Sequence, residues 1–143
     1  MRLCFASALL TVLVIFAIMD GIWLGLLQKG AYQKQFEEIQ GSPLQVKIGG
    51  AVWSYLAMTA IILIFIVPRV SSENLVKEAL LYGALLGFFV YSIYNGTNYA
   101  TLNNYHLSTA IKDTLWGTIL FAIAALGATY AAHNWIIFTP LEI

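Results

Sequence analysis

The chain has 143 residues, of which 60% are apolar and 10% charged, and seven Lys and Arg balance seven Asp and Glu. A soluble domain usually has about 25% charged and about 45–50% apolar residues. So few charges exclude a soluble globular domain and a disordered tail, and the zero net charge excludes a nucleic-acid binder that acts by charge neutralisation. The composition therefore predicts one all-α integral membrane domain over residues 1–143, with the lipid bilayer as its surroundings.

Four apolar segments have about the length that a bilayer core requires, roughly 20 residues each. They cover about residues 3–27, 47–67, 79–101 and 109–132. The first segment continues past Asp20 without a cleavage site of small residues, so we expect a retained helix rather than a signal peptide. The pattern predicts a four-helix bundle with both termini on one side, which we call side A. The opposite side is side B.

The connection between the first and second spans contains an apolar stripe. Tyr32, Phe36 and Ile39 are spaced i, i+4 and i+7, and the charged residues lie off that stripe. This spacing predicts a short amphipathic helix in the membrane interface, ended by the turn-forming residues 41–43. The alternative is a solvated loop with three apolar residues.

Polar residues precede the third span. Ser71, Ser72 and Glu73 predict an N-cap followed by an acid in the first helical turn, where it suits the helix dipole. The orientation of the bundle is left open, because the basic residues are distributed almost evenly. Side A has Arg2, Arg69 and Lys77, and side B has Lys29, Lys34, Lys47 and Lys112.

Two carboxylates interrupt the apolar spans, and each occurs in the same local pattern. Asp20 precedes Trp23, and Asp113 precedes Trp116, by three residues, so each pair shares a helical face. We expect Asp20 and Asp113 to lie at comparable depth near side B. Because an intramembrane carboxylate is costly, each is by default a candidate functional residue.

The third span adds a face that is tight at one end and polar at the other. Gly83 and Gly87 form a G-x-x-x-G pair that allows close helix packing, and Tyr91, Asn95 and Asn98 continue the same face. We therefore predict a polar pocket with an aromatic rim that opens towards side B. Its candidate binding residues are Asp20, Trp23, Tyr94, Asn95, Asn98, Asp113 and Trp116.

These polar residues have two interpretations. In one, they only hydrogen-bond to each other and hold the bundle together, with interhelical polar contacts contributing about 0.6 kcal/mol each on average. In the other, they form a site for a cation, a proton, a lipid headgroup or a small polar molecule. We favour the second, because so small a gain hardly accounts for two intramembrane acids.

Other chemistry is weakly indicated. His106 and His133 are expected at opposite ends of the bundle, too far apart to share a metal, and we assign no metal and no cofactor. There is no Ser-His-Asp arrangement and no glycine-rich phosphate loop. Cys4 is the single cysteine and cannot form an intramolecular disulfide. Trp135 is expected to be an interface anchor.

At these motifs the sequence resembles a family of small, mostly bacterial membrane proteins, domain of unknown function 2177. The resemblance rests on residues 20–25 (DGIWLG), 94–102 (YNGTNYATL) and 113–117 (DTLWG). It implies a four-helix integral membrane protein and supplies no reaction, substrate or cofactor. Where the family tends to have an acid after the tyrosine of the third helix, this chain has Asn95. If that acid handles protons or cations in the family, the neutral amide argues against the same activity here.

Together these observations favour a small multi-pass membrane protein that binds or translocates an ion or a small polar or lipid-like molecule through the Asp20 and Asp113 cluster. The alternative is a non-catalytic accessory subunit of a larger membrane complex, with other membrane subunits or a second copy as partners. A membrane enzyme that uses one of the acids on a lipid is a third, less favoured hypothesis. A nucleic-acid partner is not expected.

Overall fold

The computed structural model describes residues 5–134, and these form helices and short connections without a strand. Arg2, Cys4 and Trp135, to which the sequence assigned roles, lie outside the described residues. The helices are α1 (Phe5–Ile22), continued by a π-helical turn (Trp23–Leu27), α2 (Lys29–Gln40), α3 (Ile48–Phe65), followed by a 3₁₀ turn (Val67–Arg69), α4 (Leu75–Thr101) and α5 (Leu107–Asn134).

Four helices are long and apolar enough to cross a bilayer, which confirms the predicted all-α architecture. These candidate spans are Phe5–Leu27, Ile48–Arg69, Leu75–Thr101 and Leu107–His133. Many of their large apolar side chains point outwards, including Leu10, Ile64 and Ile93. Such a surface would be unfavourable in water and suits a lipid environment.

The tightest packing joins α4 to α5. A Cβ atom on Gly83 would lie 2.6 Å from the Phe121 carbonyl oxygen, and one on Gly87 would collide with the Gly117 carbonyl oxygen. The two helices therefore meet backbone to backbone at these positions, which only glycine allows. This close approach brings the polar part of α4 alongside the first turns of α5.

The apolar core lies between α1, α3 and α5, on the side A half of the bundle. Phe16 of α1 is fully buried, and its ring lies 5.7 Å from that of Phe121 and 5.9 Å from that of Tyr55. Ile62 and Leu120 are also fully buried around this aromatic cluster. The core closes one end of the bundle and leaves its other end to the polar residues.

The segment between the first and second spans is a helix, α2, rather than a loop. It ends at Gly41, whose φ of 68° is a left-handed C-cap conformation that suits glycine. Part of its apolar stripe packs on the bundle, because Phe36 makes an edge-to-face contact with Tyr105 at 6.4 Å between ring centroids. That α2 also lies in the membrane interface stays a prediction.

The predicted N-cap of the third span is wrong. The helix begins at Leu75, with Asn74 as N-cap, so Glu73 precedes it and the acid in its first turn is Glu78. The reason is a local pair of hydrogen bonds: Glu78 Oε2 accepts from the Ser71 backbone N–H at 2.7 Å, and Ser71 Oγ accepts from the Asn74 N–H at 3.3 Å. These two hydrogen bonds give partners to the backbone N–H groups of Ser71 and Asn74 in the turn that precedes the helix.

Candidate functional site: an acidic cavity with aromatic walls

A cavity of about 280 Å³ lies near the side B end of the bundle, and all five helical segments contribute to it. We call it the inner cavity. Its lining residues are Asp20, Trp23, Leu24, Tyr32, Ala51, Ser54, Tyr55, Tyr91, Tyr94, Asp113 and Trp116. Both intramembrane acids and both tryptophans of the repeated pattern thus line one space.

The two Asp-x-x-Trp patterns interlock across the cavity wall. Asp20 is 8% exposed, and its Oδ1 accepts a hydrogen bond from Trp116 Nε1 at 3.1 Å. Trp23 and Trp116 stack almost parallel, with 4.6 Å between ring centroids and 5° between the ring planes. Trp23 begins the π-helical turn, an irregularity frequent at functional sites. The stacked pair holds Asp20 in a fixed direction.

Asp113 is held by a different set of partners. It is 6% exposed, and its Oδ2 accepts from Asn95 Nδ2 at 2.9 Å. Asn95 Nδ2 also donates to the Tyr91 carbonyl oxygen at 2.9 Å, and Asn95 Oδ1 accepts from the Tyr105 hydroxyl at 2.6 Å. Burial, with a smaller effect of the neighbouring Tyr94, raises the pKa of Tyr105 to about 12, so its hydroxyl remains a donor at neutral pH.

Two hydrogen-bond donors in the cavity wall lack a well-formed hydrogen bond within the described residues, although one of them, the Tyr32 hydroxyl, lies close to Asp113. They are the indole Nε1 of Trp23 and the hydroxyl of Tyr32, both buried at the atom level. Burial, and next the negative charge of nearby Asp113, raise the pKa of Tyr32 above its ordinary value, which keeps the hydroxyl protonated. Buried donors are nearly always satisfied in proteins, so these two are available to an acceptor that enters the cavity.

Both carboxyl groups of the cavity lack a basic partner among the lining residues. Of the residues that the structure describes, no Lys, Arg or His lines the cavity. The ion pair between Lys34 and Glu38, at 4.0 Å, is exposed to solvent on α2. Within residues 5–134 no group of three or more His, Cys, Asp and Glu side chains is arranged to hold a metal ion.

The structure brings most of the predicted residues together. Five of the seven candidates line the inner cavity: Asp20, Trp23, Tyr94, Asp113 and Trp116. Asn95 is fully buried behind the wall and positions Asp113, and Asn98 is half-buried beside the hydroxyls of Tyr94 and Tyr105.

Sequence reasoning missed Tyr32, Gln35 and Tyr105. Gln35 is 2% exposed, and its Oε1 accepts from the His106 backbone N–H at 3.1 Å and from Thr109 Oγ1 at 2.8 Å. These bonds fasten α2 to the start of α5, beside the cavity. The stripe that contains Tyr32 was visible in the sequence, but nothing there indicated that it faces the bundle.

The fold and the cavity define a multi-pass helical membrane protein with a buried acidic and aromatic site. The family model described as "Predicted membrane protein (DUF2177)" matches residues 5–130. The chain belongs to this family of integral membrane proteins. No curated protein and no solved structure matches the chain.

Proposed function

We propose that this protein binds a small organic cation with a protonated amine in the inner cavity. The observation that carries the proposal is the pair of buried carboxylates, Asp20 and Asp113, with no basic side chain lining the same space. A buried carboxylate is strongly unfavourable unless it is paired or neutralised. A cationic ligand supplies the missing charge.

The aromatic walls support an organic cation over a bare metal ion. Trp23 and Trp116, with Tyr55, Tyr91 and Tyr94, line the cavity together with the two carboxylates. Ring faces attract ammonium groups, and aromatic cages of this kind recognise organic cations. A hard metal ion instead prefers several oxygen ligands, which two separately held carboxylates do not offer.

The size and the free donors restrict the ligand further. Ligand pockets typically measure about 300–1,000 Å³, so a cavity of about 280 Å³ fits only a small molecule or one small group of a larger one. The unpartnered donors of Trp23 and Tyr32 call for an acceptor oxygen near the amine. An amino alcohol such as ethanolamine has both features.

Ethanolamine titration of the purified full chain in phosphatidylglycerol nanodiscs, whose lipid head carries no cation, tests this proposal. Because Trp23 and Trp116 line the cavity, binding is expected to change the tryptophan fluorescence, while neutral ethylene glycol leaves it unchanged. We expect Asp20→Asn and Asp113→Asn each to weaken ethanolamine binding by about tenfold or more, since each removes a desolvated charge. Glu38→Gln, which removes an exposed carboxylate of α2, is the matched control.

Equal ethanolamine affinity in the wild type and both Asn variants would contradict the proposal, as would the absence of binding to the wild type. Elution as a single species with unchanged helicity shows that the variants are folded. The accessory-subunit alternative stays a prediction, and it makes no use of the two buried carboxyl groups of the cavity.

A further inference from the structure

A second cavity adjoins the inner one on the outer side of the bundle, between α3 and α4. It measures about 390 Å³ and shares Ser54, Tyr91 and Tyr94 with the inner cavity. Its remaining lining residues are apolar: Trp53, Ala57, Met58 and Val90. We call it the outer groove. Because they share these three lining residues, the inner cavity and the outer groove are adjacent.

The outer groove exists because α3 and α4 hardly pack on each other. Both helices are described along their whole length, and α3 packs mainly on α1 while α4 packs on α5. Trp53, at the edge of the groove, is 79% exposed, and Ser54 uses its hydroxyl within its own helix by donating to the Gly50 carbonyl oxygen. Since α3 and α4 are long and apolar enough to be membrane spans, we expect the gap between them to face lipid.

The two spaces together match a molecule with two parts. The inner cavity offers carboxylates to a cationic nitrogen, and the free donors of Trp23 and Tyr32 to an acceptor oxygen. The groove offers an apolar surface to a hydrocarbon chain. We propose that the ligand is an amine-bearing phospholipid of the surrounding bilayer, whose head enters sideways between α3 and α4. This inference rests on the proposed amine site.

The chemistry of the headgroup decides among lipids. A primary ammonium has three N–H donors for the two carboxylates, and the adjacent phosphate has oxygens for the indole and phenol donors. A quaternary choline head has the charge without the N–H groups, and a glycerol head has no cation. Phosphatidylethanolamine is therefore expected to bind more tightly than phosphatidylcholine, and phosphatidylglycerol least.

Native mass spectrometry of the detergent-solubilised full chain, titrated with these three lipids of identical acyl chains, tests the preference. We expect phosphatidylethanolamine to bind about tenfold or more tighter than phosphatidylglycerol, and Asp20→Asn and Asp113→Asn to remove that difference. Ala57→Trp, which fills the groove, is expected to weaken phosphatidylethanolamine binding to a similar degree. Val52→Trp adds the same bulk to a half-exposed position of α3 that lines neither cavity, and is the control.

The outcomes separate the two proposals. If free ethanolamine binds to the wild type and phosphatidylethanolamine shows no preference, the lipid inference is overturned while the amine site stands. If the protein binds dodecylammonium but does not bind phosphatidylethanolamine, the proposal that the amine belongs to a phospholipid is overturned. Equal lipid binding by Ala57→Trp and Val52→Trp overturns the sideways route. If neither ethanolamine nor phosphatidylethanolamine binds, both proposals fail.

Discussion

At the residue scale, Asn95 uses its side-chain amide to position Asp113. Its Nδ2 donates to both Asp113 and the Tyr91 carbonyl oxygen, and its Oδ1 accepts from Tyr105. A neutral amide fits this place because it donates to a carboxylate and accepts from a phenol at the same time. The side-chain amide of Asn95 is thus fully engaged in hydrogen bonds.

We expect Asn95→Asp to lower the free energy of unfolding by about 1–3 kcal/mol, because it removes a buried donor and sets a second carboxylate against Asp113. Asn98→Asp, one turn further along α4 and half-buried, is expected to cost clearly less. Denaturant unfolding of both variants in the same detergent, followed by circular dichroism, measures the difference. Equal losses would contradict the role assigned to Asn95.

At the scale of single elements, α2 is fastened by polar contacts at its middle and near its C-terminus. Gln35 holds it to the start of α5. Near its C-terminus, Glu37 Oε1 accepts from Gln33 Nε2 at 3.0 Å and from the Leu44 backbone N–H at 3.2 Å. The hydrogen bond from Gln33, and next that from Leu44, lower the pKa of Glu37.

Because its pKa is lowered, ionised Glu37 stabilises this turn at every pH above the ordinary pKa of a glutamate. The contribution is lost as the pH falls through the lowered pKa. We therefore expect the Leu44 amide to lose protection from hydrogen exchange in acid, beyond the intrinsic pH dependence of exchange. In Glu37→Gln, which has no charge to lose, protection should stay level over the same range. If the protection of the Leu44 amide changes with pH in the same way in the wild type and in Glu37→Gln, ionised Glu37 does not stabilise this turn.

At the scale of the whole molecule, helix pairs differ in how closely they pack. The glycines of α4 bring it against the backbone of α5, whereas α3 leaves a groove beside α4. The bundle thus has one closely packed helix pair, α4 with α5, and one open side, between α3 and α4. The closely packed pair positions Asp113 and Asn95, and the open side is where the proposed lipid enters.

Gly87→Leu is expected to destabilise the bundle by about 1–3 kcal/mol or more, because its side chain would overlap the Gly117 backbone of α5. Gly96→Leu on the same helix has open space around its Cβ and serves as the control. Thermal unfolding in one detergent compares the two variants. A melting temperature of Gly87→Leu equal to that of Gly96→Leu would show that α4 and α5 are not closely packed at Gly87.

Much of this architecture is predictable from local pattern. Long apolar runs predict the spans, since a bilayer demands them, and the repeated Asp-x-x-Trp pattern pointed to Asp20 and Asp113 as the residues to follow. The N-cap of α4 was missed, because Ser71 and Glu78 form a contact seven residues apart that no cap pattern reveals. Tyr105 was missed because its partner Asn95 lies on another element.

The sequence by itself determined that this is a four-span membrane protein with two acids inside it, because hydropathy and charge are properties of the chain that need no contacts. Only the tertiary structure decided that the acids line one cavity, that α2 contributes Tyr32 to its wall, and that a groove beside α3 adjoins it. These features depend on which helices pack closely and which do not. Which helices pack closely depends on the small residues between α4 and α5 and on the side chains that contact each other between helices.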